Sequence, residues 1–116
     1  MQLNPTGIIY LATEPVDFRK AFDGLSGIVR DHLGKDPLSG DIFMFFNRRH
    51  NRAKLLVWDG DGFWLYYKRL EEGTFEYPLS SLHERCMVLG PDELYFILSG
   101  VELSTIKRRK RYKKCA

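Results

Sequence analysis

The sequence predicts an α+β domain: a meandering antiparallel sheet of four to six strands, two helices and a flexible basic C-terminal tail. Three observations lead there. Between Asp41 and Leu70, apolar and aromatic residues recur with period two in three segments separated by turn formers. On either side of that region the spacing changes to three and four, the period of a helix. Finally, the last ten residues carry seven cations and no acid, too much like charge for a segment to fold alone.

The elements follow in order. Ile8 to Ala12 is a short apolar run between Gly7 and Pro15, and reads as a strand. Asp17 stands as an N-cap for a helix from about Phe18 to Leu33, whose inward face is Phe18, Phe22, Leu25 and Val29 and which Gly34 ends. Gly34 to Gly40 holds Asp36-Pro37 and Ser39-Gly40, so it is a loop. Asp41 to Asn47, Lys54 to Asp59 and Phe63 to Leu70 are strands, joined by Arg48 to Ala53 and by the hairpin signal Gly60-Asp61-Gly62. Thr74 to Tyr77 is a candidate fourth strand of the meander, halted by Pro78, and Cys86 to Leu89 a further edge strand. Pro91 sits at the first position of a short helix to Ser99, with Asp92 and Glu93 in its first turn and Leu94, Ile97 and Leu98 facing inward before Gly100.

At 116 residues the chain fits one domain, read as residues 1–106, with residues 107–116 a basic, disordered tail. Both faces of the central strands are apolar: Phe63, Leu65 and Tyr67 alternate with Trp64, Tyr66 and Lys68. Two helices suffice for one face, which leaves the other to the tail region or to a partner. Two cysteines, Cys86 and Cys115, suit neither a disulfide framework nor a four-ligand zinc site. The N-terminal stretch MQLNPTG does not read as a signal peptide, and no apolar run approaches a membrane span. A soluble cytoplasmic protein is expected, with no membrane partner.

Charge is the strongest functional signal. Eleven of the eighteen Lys and Arg precede residue 107 against fifteen Asp and Glu, so the body carries about −4 and the tail +7. Lys107, Arg108, Arg109, Lys110, Arg111, Lys113 and Lys114 therefore form a cationic handle on an acidic globule, suited to a polyanion such as DNA. A second basic cluster, Arg48, Arg49 and Arg52 with Lys54, surrounds His50 in the turn before the second central strand. Arginine forks fit phosphates and guanine edges, and the neighbouring Asn47 and Asn51 have the donors and acceptors to read adenine. Arg19, Lys20, Lys68 and Arg69 extend this patch if they share its face.

Catalytic patterns are absent from the sequence. Trp58-Asp59-Gly60-Asp61-Gly62 invites a calcium loop, but the fifth and sixth positions from Asp59 are Phe63 and Trp64, where an acid and a glycine are required. Type I′ turn chemistry explains those letters. A magnesium-dependent nuclease would have to rest on Asp59 and Asp61 alone, and His32, His50 and His83 are scattered. No enzyme, metal or cofactor is expected.

Three stretches carry a family resemblance: Val16 to Leu25, reading VDFRKAFDGL; Asp36-Pro37-Leu38-Ser39-Gly40 running into Phe43 and Phe45; and Lys54 to Leu70, reading KLLVWDGDGFWLYYKRL. Together they resemble the short TnpB accessory proteins of the bacterial insertion sequences numbered sixty-six, distinct from the RNA-guided nuclease that shares the name. The similarity covers roughly residues 5 to 101. Ala21 stands where that family commonly has glycine, and family members differ in the segment from Ser104 onward. The resemblance implies a protein encoded beside a transposase and needed with it for movement of the element, without a catalytic role of its own. The expected function is thus a non-catalytic transposition accessory factor that binds DNA and assists the transposase. The alternative is an adaptor that grips the transposase through its aromatic sheet face without specific DNA recognition.

Overall fold

A computed structural model of the chain describes residues 7–76 and 84–100. The elements run β1 (Ile9–Ala12), α1 (Phe22–Asp31), β2 (Ile42–Phe46), β3 (Arg52–Trp58), β4 (Phe63–Arg69), β5 (Cys86–Leu89) and α2 (Pro91–Ser99). The expected α+β architecture is present, with five strands in the order β4-β3-β2-β1-β5. β2, β3 and β4 form the antiparallel meander. One pairing departs from it: β1 lies parallel to β2, because α1 carries the chain over the sheet between them. β5 closes the opposite side antiparallel to β1.

Strand alternation explains the placement of the helices. All five residues of β2 are buried, with Ile42, Met44 and Phe46 in one cluster and Phe43 and Phe45 in the other. The first cluster contains Leu94 and Ile97 of α2, the second Leu25 and Val29 of α1. The helices therefore cover opposite faces, correcting the expectation that both lie on one. A sheet apolar on both sides needs this three-layer arrangement.

Two further expectations are corrected. Helix α1 begins at Phe22 rather than Phe18, with Ala21 as its N-cap, and Phe22 is 44% exposed instead of facing the core. Asp17 caps a turn ahead of the helix: its Oδ1 accepts the Arg19 N–H at 2.9 Å, and its carbonyl the Lys20 N–H at 3.0 Å. Thr74 to Glu76 is not a strand; Phe75 is instead buried as a plug, its N–H donated to the His50 carbonyl at 2.6 Å. Tyr77 and Pro78 lie outside the described residues, as does the tail from Lys107. Helix α2 forms where expected, its entry held by the Gly90 N–H donating to Glu93 Oε1 at 2.8 Å and its end marked by Gly100 at φ 83°.

Phe45 is wholly buried against α1, so Phe45→Ala leaves a cavity between sheet and helix. Urea unfolding is expected to show a loss of about 3–5 kcal/mol.

Candidate nucleic-acid interface

The β2–β3 turn is built by one side chain. Asn47 Oδ1 accepts the N–H groups of Asn51 and Arg52, both at 3.0 Å, while its Nδ2 donates to Asn51 Oδ1 at 2.7 Å. His50 takes the left-handed conformation at φ 59° that lets the chain reverse, and its ring stacks on Phe46 with centroids 5.3 Å apart. Burial pushes the His50 imidazole below its ordinary pKa. Both asparagine amides are engaged within the turn. What remains at its exposed tip is Arg48 and Arg49.

The register of β3 and β4 gathers the other cations. Arg52 lies directly opposite Arg69, and Lys54 directly opposite Tyr67, so these four share the face that α1 covers further along. Like charges facing each other across two strands repel. Each arginine finds a local partner: Arg52 Nη1 donates to the Tyr67 hydroxyl at 3.0 Å, and Arg69 Nε to Glu71 Oε2 at 2.8 Å. Lys68 projects to the other face, where its ammonium donates to the Leu98 carbonyl at 2.6 Å. That bond sets the C-terminal end of α2 beside the same basic end of the sheet.

Lys54 differs from the other basic residues of the turn region. It is 3% exposed, and its Nζ donates to the carbonyls of Phe18 at 2.9 Å and Lys20 at 2.7 Å. The rings of Phe18 and Tyr67 flank it, with centroids 4.8 and 5.0 Å away. Desolvation first, and then the nearby Arg52 charge, lower its pKa. Lys54 thus does not share the exposed surface of Arg48 and Arg49; it anchors residues 18–20 to the sheet. Those two carbonyls are turned toward Lys54, and the helix starts after them. The exposed Arg19 is tied to Asp17 by a short fork, Nη2 to Oδ2 at 2.6 Å. That fork and the Arg19 N–H hold the Asp17 carboxyl down at about 2.

The other sequence candidates separate from this end. Asp59 accepts the Trp64 indole N–H at 2.6 Å across the hairpin turn. Among the described residues no three His, Cys, Asp or Glu side chains come together to hold a metal ion, and no helix is long and apolar enough to cross a membrane. The cations Lys107 to Lys114 lie outside the described residues. Sequence reasoning missed Tyr67, although its place two residues before Arg69 on a period-two strand puts both on one face.

A family model described as IS66 Orf2 like protein matches residues 8–108, spanning both helices and all five strands. The chain belongs to the IS66 Orf2-like family. This is an insertion-sequence-associated family, as the sequence motifs implied. Among its relatives, the uncharacterized protein y4jC of Sinorhizobium fredii is 37% identical over 101 residues, covering 87% of this chain and 85% of that protein. A second S. fredii protein, the uncharacterized y4hO, is 33% identical over 94 residues, covering 81% and 80%. No solved structure matches this IS66 Orf2-like chain.

Two outcomes test the geometry. Lys54→Met leaves the Phe18 and Lys20 carbonyls without their donor, and is expected to lower stability in urea by about 1–3 kcal/mol while amide exchange quickens at residues 19–22. Asp17, with its folded pKa depressed, contributes stability that is complete above its ordinary value and lost as pH falls through about 2. A carbon-13 titration should show the Asp17 midpoint there, and Arg19→Gln, which removes the fork but keeps the backbone N–H donor, should move it only part of the way back toward the ordinary 3.8.

Proposed function

We propose that this IS66 Orf2-like protein is a non-catalytic accessory factor in transposition of a bacterial insertion sequence, binding DNA and assisting the transposase of the same element. Contact with DNA phosphates falls to Arg48, Arg49 and Arg52 on the folded body and to the tail cations Lys107, Arg108, Arg109, Lys110, Arg111, Lys113 and Lys114. The observation that carries this reading is the concentration of cations at one end of a body whose overall charge is about −4. Arg48 and Arg49 crown a turn stiffened by Asn47, and Arg52 faces Arg69 across the strands. An anion in that position relieves a repulsion that the protein otherwise carries. The bond from Lys68 to the Leu98 carbonyl supports a joint role for the tail, because the tail sequence continues from that end of α2. Turn and tail then engage one duplex, the tail for affinity and the turn for orientation. Lys54 serves as the anchor beneath.

A second reading has its own observation. On the face that α2 covers, Trp64 is 55% exposed and stacks on Tyr66 with centroids 6.2 Å apart. Beside them lies an open pocket of about 400 Å³ lined by Ala53, Leu55, Tyr66, Tyr67, Lys68 and Leu98. An apolar aromatic surface of this kind suits a protein partner, and the transposase is the candidate.

Salt separates the two readings. Fluorescence anisotropy of the full chain on a duplex carrying the element's terminal sequence should give a slope of log affinity against log salt steeper than roughly −6, since the seven tail cations alone supply about 0.9 each. Changing all seven to Gln should remove that share. Arg48→Ala with Arg49→Ala should reduce the slope by about 2 further. Binding unchanged in the Arg48→Ala, Arg49→Ala protein would remove the turn from the interface, and absence of DNA binding by the full chain would favour the adaptor.

A further inference from the structure

The geometry points to Tyr67 as a stacking site for an unpaired nucleobase, so that the preferred DNA is a strand end or branch rather than an uninterrupted duplex. This rests on the proposed DNA-binding role and specifies its substrate. Tyr67 is 50% exposed, yet three contacts hold its ring. The hydroxyl accepts from Arg52 Nη1 at 3.0 Å, the Lys54 ammonium lies 5.0 Å from the ring centroid, and Phe18 meets it edge to face at 5.8 Å and 86°. An exposed aromatic side chain ordinarily keeps rotamer freedom that a ligand must remove; here the protein has removed it already.

The surroundings define the ligand's chemistry. Arg69 stands two residues along the same face, roughly 7 Å from Tyr67 along the strand, and Arg52 stands opposite Arg69. A flat π surface with the Arg52 guanidinium at its hydroxyl and a second arginine two residues along the same face fits a base with its flanking phosphates. Glu71 pairs with Arg69 and Asp17 with Arg19, which leaves the Arg52 guanidinium, bonded to the Tyr67 hydroxyl, as a cation at the ring. A paired duplex hides the faces of its bases, and its phosphates alone make no use of a fixed aromatic ring. Unpaired nucleotides offer both features together.

The test compares a blunt duplex with the same duplex bearing a three-nucleotide single-stranded overhang, by anisotropy at fixed salt. The full wild-type chain is expected to prefer the overhang by roughly five-fold to a hundred-fold. Tyr67→Leu should lose that preference while keeping its affinity for the blunt duplex, and Tyr67→Phe, which retains the ring, should keep the preference. A 5-iodouracil placed in the overhang gives a readout on the unaltered protein: irradiation should cross-link it to the peptide that contains Tyr67. Equal binding of both DNAs by the wild type, a preference retained in Tyr67→Leu, or cross-links confined to other peptides would each overturn the stacking site and leave duplex binding standing. Failure of the wild type to bind either DNA would overturn the proposed function as well.

Discussion

The buried ammonium of Lys54 is the constraint on which the basic end of this sheet depends. A cation withdrawn from water is tolerated only where other groups replace its hydration. Here two carbonyls and two aromatic rings do so, and the nearby Asp17 charge favours the ammonium. Because those carbonyls belong to Phe18 and Lys20, the requirement of one side chain on β3 dictates the path of a segment more than thirty residues earlier. The same requirement delays α1 to Phe22 and keeps the Tyr67 ring over the sheet.

Charge works against stability at this end. Opposed arginines on neighbouring strands, a lysine beneath them and two more arginines at the adjacent turn are a poor choice for a fold maximising its own stability. The hydrophobic layers on either side of β2 supply the reserve: Phe43 and Phe45 against α1, Met44 and Phe46 on the side of α2. The Asn47 hydrogen bonds fix the backbone that carries Arg48 and Arg49 at the tip of this turn.

Much of the fold was legible because local signals agreed with the tertiary result. Period-two alternation located β2, β3 and β4, and Pro91 with Gly100 bracketed α2 closely. The misplaced start of α1 shows where such signals fail: Asp17 and the Phe18 spacing satisfy the rules for a helix, but a distant lysine claims the carbonyls. Likewise, apolar residues on both sheet faces announced two layers to cover, but local periodicity gave no sign that the helices divide between them, so both were expected on one face. The basic turn was visible as a run of letters. The separation of Lys54 from its neighbours was not, since alternation puts Arg52 and Lys54 on one face, and only packing against residues 18–20 buries the second. The resemblance to the IS66 Orf2-like family rested on motifs that the structure distributes over the start of α1, the loop into β2 and the β3–β4 hairpin.

The central claim is that the end of the sheet bearing Arg48, Arg49, Arg52 and Arg69 faces nucleic acid. Its most direct test is amide hydrogen exchange on the full chain, with and without DNA carrying the element's terminal sequence. The account predicts slowed exchange across residues 47–52 and 67–70, with the β3–β4 turn at residues 59–62 unchanged. Protection absent from residues 47–52 and concentrated instead in α2 and around Trp64 would contradict it, and would move the functional surface to the aromatic face.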